Sequence, residues 1–253
     1  MNRRKKFPQT FLRPTPIESR SRREAVDPLE PCPQRASVDR PALDSEKLSG
    51  RLLQPHERAL KRAIDLAVSL TLIALLSPVF TLLLLLIALV DGTPVIYRRR
   101  VVGPTGQFDA FKFRSMHRNA DAILEANSAL RQAFSQNFKL KSDPRVTKLG
   151  SFLRKYSLDE LPQLFNVLCG QMSLVGPRMI TAPELEKYGP YRDLLLTMKP
   201  GITGHWQVRG RQDVSYSERV RMDVEYITHW RVQADLKILM ITPLRVITGR
   251  GAY

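Results

Sequence analysis

The chain has 253 residues, with 40 lysines and arginines against 24 aspartates and glutamates, a formal net charge of +16 and 43% hydrophobic residues. That length suits one ordinary domain plus an appendage. Two cysteines, Cys32 and Cys169, are too few for a disulfide scaffold or a cysteine-rich metal site, and an uncharged run over residues 66–90 argues against a wholly soluble globular protein.

Residues 1–54 form a tail rich in arginine and proline. Its first 50 residues carry 11 lysines and arginines and 7 prolines, with little apolar periodicity. Such a segment buries too little apolar surface to offset chain entropy, so it is predicted to be disordered. It is no signal peptide, because the apolar run starts more than sixty residues in. Attachment to anionic lipid is an alternative to a simple solvated tail.

Residues 55–92 hold the apolar segment. From Leu66 to Val90 a helix would measure roughly 37 Å, enough to cross a hydrocarbon core of about 30 Å. Ser77-Pro78 falls near its middle, and both flanks are basic: Arg58, Lys61 and Arg62 before, Arg98, Arg99 and Arg100 after. The positive-inside bias asks for both flanks on the cytoplasmic side. One straight or kinked span is the default reading; a helix–break–helix that enters and leaves by one leaflet would satisfy both flanks, and a buried helix of a soluble core is the remaining alternative.

Residues 93–253 form the remaining domain. Thr93 to Val102 and Phe108 to Phe113 read as two strands joined by Gly103-Pro104-Thr105-Gly106, with Lys112 and Arg114 alternating against Phe111 and Phe113 to give one basic face. Residues 149–170 place Asp159 and Glu160 at a predicted helix start. Ser157 and Glu160 have capping-box spacing, but that register puts Pro162 beyond the free first-turn N–H groups; Asp159 as N-cap places Pro162 at the third helical position instead. Adjacent carboxylates suit plain capping, or the sharing of a divalent cation beside a phosphate. Arg178 follows the Gly176-Pro177 turn, and Lys199 to Gly204 is a glycine-punctuated loop leading to HWQVRGR. A basic loop next to Trp206 suits nucleic acid or a nucleotide diphosphate. Leu236, Leu239, Met240, Leu244 and Ile247 form a helical stripe that suits a core face or a membrane interface. The chain has no GxxxxGK[ST], GxGxxG or HExxH motif, and its four histidines, at positions 56, 117, 205 and 229, are scattered.

Taken in order, Ser77-Pro78 in an apolar segment, FKFRSM at 111–116, DPRVTKLGSFLRKYSLDELPQLFNVL at 143–168, MSLVGPR at 172–178 and PGITGHWQVRGR at 200–211 make the chain similar to a known family. Over roughly residues 55–253 it resembles the bacterial sugar transferases, the monotopic phosphoglycosyl transferases that move a hexose-1-phosphate onto undecaprenyl phosphate. The closing GRGAY resembles the tails of members that start exopolysaccharide repeat units. The resemblance implies a mainly helical α+β fold: a re-entrant helix broken at Ser77 and Pro78, a short β-hairpin and interfacial C-terminal helices, with the catalytic domain on the cytoplasmic face of the bacterial inner membrane. It implies Asp159 as nucleophile with Glu160 beside it at a Mg2+ site. Lys112, Arg114, Arg154 and Arg178 are matched to phosphate binding, and Gln207, Arg209 and Arg211 to the nucleotide-sugar loop. The implied partners are a UDP-sugar (galactose or glucose), undecaprenyl phosphate and membrane lipids. A homodimer stays open, and nucleic acid is not expected. One departure is visible: the family usually continues GPR with proline, where this chain has Met179.

Overall fold

The computed structural model describes residues 53–138, 140, 142–209 and 215–248, so almost all of the basic tail and the terminal GRGAY lie outside the described residues. Helix α1, Pro55–Val90, runs for 36 residues. Gln54 precedes it, the Glu57 carboxylate returns to the Gln54 amide at 2.9 Å, and Pro55 opens the first turn with no N–H to satisfy.

Helical geometry carries on through Ser77 and Pro78, so the expected break is not an unwound segment. The reason is local. Proline has no N–H for the Ala74 carbonyl one turn back, and the Ser77 hydroxyl donates to that carbonyl instead, at 2.9 Å. The Thr81 hydroxyl likewise donates to the Ser77 carbonyl at 3.1 Å.

One stripe of α1 faces the folded body along its whole length. Lys61, Asp65 and Ser69 are buried towards one end, Leu83 and Ile87 towards the other. Leu72, Ile73 and Phe80 pack partly buried between them. These positions recur every three or four residues, which is one helix face. The remaining surface leaves Leu70, Leu75, Leu82, Leu85 and Leu89 exposed. Its most apolar stretch has a mean hydropathy of 2.8, long and apolar enough by length and composition to cross a membrane. Both ends nevertheless rest on the same body. That suits a helix embedded from one side, because a straight span would carry one end away from the domain.

The chain then forms a hairpin, β1 (Ile96–Gly103) and β2 (Gly106–Phe113), antiparallel with Gly103 opposite Gly106. Short helices follow: α2 (Ala120–Ala126), α3 (Ser128–Asn137), α4 (Lys148–Lys155) and α5 (Gln163–Leu168). Next come β3 (Ser173–Val175), α6 (Ala182–Leu185), α7 (Arg192–Leu195), β4 (Gly201–Thr203), α8 (His205–Arg209), α9 (Tyr216–Thr228) and α10 (Val232–Thr248). Strands β3 and β4 pair in parallel. A Cβ at Gly201 would sit 2.1 Å from the Gly176 nitrogen, and one at Gly176 2.5 Å from the Lys199 carbonyl oxygen. Backbone therefore lies directly on backbone where the GPR turn meets the PGITG loop, and only glycine fits. The main core gathers Phe108, Ala110, Leu164, Val175, Tyr188 and Trp230 among others, and a smaller one joins Leu83 and Ile87 of α1 to Phe113 and Leu153.

Polar groups fasten α1 to this core. Lys61 Nζ lies 2.5 Å from Asp235 Oδ2 and donates to the Val175 carbonyl at 2.8 Å. Asp235 also accepts from the Tyr226 hydroxyl at 2.6 Å and the Trp230 indole at 3.1 Å. Asp65 accepts from the Ser173 hydroxyl at 3.0 Å and the Leu174 amide at 2.9 Å. Asp235→Asn should leave the Lys61 ammonium buried without its counter-charge and destabilise the protein by about 3–5 kcal/mol. Thermal unfolding in detergent checks this, and pairing the change with Lys61→Met should recover much of the loss.

Candidate active site

The acidic pair sits in a 3-10 turn, Leu158–Glu160, ahead of α5. This corrects the expected capping: neither Ser157 nor Asp159 caps α5. Ser157 takes a left-handed conformation (φ 53°) that reverses the chain after α4, and Pro162 is the residue from which α5 starts. Proline tolerates that position because its φ already suits a helix and no partner is needed for an N–H there.

Three elements converge on this turn. The Asn166 side chain in α5 accepts from the Phe111 amide at 2.9 Å and donates to the Asp109 carbonyl at 2.8 Å, which registers β2 against α5. Lys112, next along β2, is thereby brought to the pair: its Nζ lies 2.6 Å from Glu160 Oε1 and 4.0 Å from Asp159 Oδ2. Helix α4 is capped by Thr147, whose hydroxyl accepts from the Gly150 amide at 2.8 Å and donates to Asp91 at 2.9 Å. Its last turn carries Arg154, held by the Ser115 hydroxyl at 2.9 Å. Burial pushes the Asp159 carboxyl above the ordinary aspartate range; Lys112 pulls it down, the Glu160 charge pushes it up, and Arg154 pulls it down. Gln163, at the start of α5, is fully buried with both amide atoms lacking a partner.

The basic face expected on the hairpin is not solvated. Lys112 is spent on the pair, and Arg114 is buried with its guanidinium donating to the Asp91 carbonyl at 2.5 Å and to the Gly92 carbonyl. Arg114, which the resemblance matched to phosphate binding, thus braces the end of α1 through Nη2, while its Nη1 is buried without a partner. Arg178 lies in a second cluster. Its guanidinium and that of Arg219 stack on Trp206, at 4.9 and 4.6 Å from the ring centre. Arg178 Nε, Arg219 Nε and Nη1, and Asp223 Oδ1 are buried without partners there. Arg99 stands between the two clusters. It pairs with Glu184 at 3.1 Å, and its charge feels both Arg178 and Glu160.

A family model described as bacterial sugar transferase matches residues 56–249. The chain belongs to the bacterial sugar transferase family. Its similarity to an undecaprenyl-phosphate galactose phosphotransferase of Salmonella typhimurium is 44% identity over 212 residues, 82% of this chain and 44% of that protein. With the exopolysaccharide production protein ExoY of Sinorhizobium fredii it shares 43% identity over 198 residues, 76% of this chain and 88% of the relative. A UDP-glucose:undecaprenyl-phosphate glucose-1-phosphate transferase of Escherichia coli is 40% identical over 205 residues, 78% of this chain and 42% of that protein. The chain thus spans less than half the length of several relatives it matches.

Within this family member, the structure brings Asp159, Glu160, Lys112 and Arg154 together and sets Arg178 in the neighbouring cluster. Of the residues matched to the nucleotide-sugar loop, the Gln207 side-chain oxygen is buried without a partner, Arg209 lines a cleft beside α9 and α10, and Arg211 lies outside the described residues. The sequence points to Trp206 only as a neighbour of a basic loop and does not single out Arg99 or Arg219 as site residues. Strand alternation within Arg98-Arg99-Arg100 was the available signal, since only the middle one turns inward. Among the described residues no three His, Cys, Asp or Glu side chains form a metal-binding group. Two adjacent carboxylates do suit Mg2+ when substrate phosphates complete its shell, because that ion takes one or two carboxylates and keeps other oxygens.

Burial pushes the Asp223 carboxyl up to about 7, against the pull of the Tyr188 hydroxyl, the Arg178 amide and the charges of Arg178 and Arg219. The folded state therefore keeps a proton that the unfolded chain releases near pH 4, and stability falls as pH climbs from about 4 to about 7. Asp223→Asn removes that dependence. Melting temperatures at pH 5 and pH 8 should show the variant gaining on the wild type at the higher pH.

Proposed function

We propose that this chain transfers a hexose-1-phosphate from a UDP-sugar to undecaprenyl phosphate through a covalent intermediate on Asp159, as a first step in exopolysaccharide synthesis. The observation that carries this reading is a buried aspartate held between a lysine and an arginine at the junction of three elements, with further arginines extending away from it. An Asp159 carboxylate oxygen attacks the β-phosphorus, the bond to the UMP oxygen breaks, and UMP leaves with that electron pair. A phosphate oxygen of the lipid then attacks the same phosphorus and expels Asp159, giving the diphospholipid sugar. Covalent catalysis divides one difficult anion-on-anion displacement into two.

The chain's own groups make attack feasible. Lys112 and Arg154 favour the ionised form of Asp159 and offset phosphate charge inside a poorly solvated turn. Arg99 and Arg178 are placed to meet the rest of the diphosphate. Mg2+, when bound, would be held by Asp159 and Glu160 and would supply further charge neutralisation. The relatives' names support galactose or glucose as the sugar, and the apolar outer face of α1 supports a site at the cytoplasmic face of the inner membrane, where a lipid phosphate meets a soluble nucleotide.

Purified protein given undecaprenyl phosphate, Mg2+ and a panel of UDP-sugars should release UMP with one or two of them. Folded protein that releases none would overturn the reading. Asp159→Asn should cut turnover by roughly three orders of magnitude or more and abolish any trapped phosphosugar adduct. Normal UMP release by that variant would remove Asp159 as nucleophile. Glu160→Gln should lose at least about tenfold in rate with little change in melting temperature and a weaker response to Mg2+. An unchanged Mg2+ response would reduce Glu160 to a partner of Lys112.

A further inference from the structure

A cavity of about 460 Å³ opens between α8, α9 and α10, and it shares no residue with the acidic pair or its cations. Its floor is apolar, with Val208, Ile238 and Ile241. Three permanent cations line it: Arg209 from α8, and Lys237 and Arg245 from α10. Among the described residues none of the three side chains makes an ion pair or hydrogen bond, and Glu225 is the single carboxylate in the lining. Burial pushes the His205 ring below its ordinary value, with Arg209 adding to the effect, so that histidine brings little charge of its own near neutral pH. The cavity therefore offers an excess of unpaired positive charge over an apolar base. That combination asks for a small anion joined to something apolar.

Helix α10 supplies the second half of the observation. Leu236, Met240, Leu244 and Ile247 are 46%, 78%, 63% and 73% exposed. Their spacing of four, four and three residues puts them on one face. The stripe Lys237–Ile241–Arg245 lies one residue on, about 100° around the helix, so the cations border the apolar stripe directly. This is the side-chain order of a helix lying in a membrane interface, with charged heads reaching towards phosphates and apolar side chains towards acyl chains.

We propose that this cleft is a binding site for an anionic glycerophospholipid, whose phosphodiester sits among Arg209, Lys237 and Arg245 while its chains lie along the Leu236–Met240–Leu244–Ile247 stripe. Charge complementarity chooses the occupant: three unpaired cations against one carboxylate favour an anionic over a zwitterionic headgroup. The bound lipid is a resident of the site and does not react, because none of the acidic turn lines the cavity.

The test titrates full-length protein in detergent with dihexanoyl phosphatidylglycerol, dihexanoyl phosphatidylcholine, inorganic phosphate and farnesyl phosphate, reading thermal stabilisation. These are binding measurements, so they stand or fall independently of any sugar transfer. Phosphatidylglycerol should stabilise the wild type at concentrations at least tenfold lower than phosphatidylcholine or inorganic phosphate. Lys237→Gln removes a partnerless exposed side chain, so it should fold normally and weaken phosphatidylglycerol severalfold. Lys237→Gln with Arg245→Gln should weaken it tenfold or more. Arg131→Gln with Lys148→Gln, an equal loss of charge elsewhere, should leave it unchanged. Met240→Ser with Leu244→Ser should weaken phosphatidylglycerol but not inorganic phosphate. Equal binding of phosphatidylglycerol and phosphatidylcholine, or equal losses in the control pair, would overturn the site. Tighter binding of farnesyl phosphate, lost in the Lys237/Arg245 variant, would reassign it to a polyprenyl phosphate and overturn the choice of lipid.

Discussion

A lysine and an aspartate far apart in sequence, Lys61 and Asp235, meet at 2.5 Å inside the protein. Taking two charges out of water is costly, and such a pair survives only where further hydrogen bonds satisfy it. Here the Val175 carbonyl, the Tyr226 hydroxyl and the Trp230 indole do so. The pair therefore ties four elements, α1, β3, α9 and α10, at one point. Apolar contact alone would hold α1 weakly in place, because its leucines are satisfied equally well by lipid. Directional polar bonds from Lys61, Arg62 and Asp65 give the helix one seat, and the walls of the core are built against it.

The acidic turn depends on the same economy of polar groups. Asn166 uses three hydrogen bonds, to Phe111, Asp109 and Gln171, to lock the hairpin to α5. Lys112 then has little choice of partner. Burial makes the Asp159 charge expensive, and the neighbouring cations decide how much of that expense remains. A desolvated carboxylate is also more strongly attracted to its few partners than it would be in water. The second cluster shows the opposite condition. Arg178 and Arg219 both stack on Trp206 and still hold buried nitrogens with no partner, which is an arrangement that gains from an incoming anion.

Much of this was legible in the sequence because it is encoded locally. The hairpin follows from the GPTG turn between β-branched and aromatic runs, and the long helix from an uninterrupted apolar stretch. The family follows from several motifs occurring in order. What escaped was set partly by distant contacts and partly by local side-chain chemistry. Helix α5 starts from Pro162, past the acidic pair, which capping rules applied to neighbouring residues place at the start of that helix. Arg114 resembles Lys112 in sequence, yet one of its guanidinium nitrogens is taken by the carbonyls at the end of α1. Arg99 looks like one of three flanking arginines until strand alternation sends it towards Glu184. The helix through Ser77-Pro78 stayed whole because a serine hydroxyl stood in for the missing amide, a substitution that a tally of breakers does not count.

The two hydrogen bonds from Arg62 to the last carbonyls of α5 carry a mechanical meaning. They fasten the helix that follows the acidic turn to the helix that bears the exposed leucines. Wherever the bilayer holds α1, α5 is held at a fixed offset, and Asp159 with it. Depth, in other words, is a built-in coordinate of this site. A change in lipid thickness or packing that tilts or lifts α1 would raise or lower the carboxylate relative to the phosphate plane. On the mechanism proposed above, reactivity towards a phosphate tethered in that plane would then track membrane thickness, while reactivity towards a freely diffusing one would not.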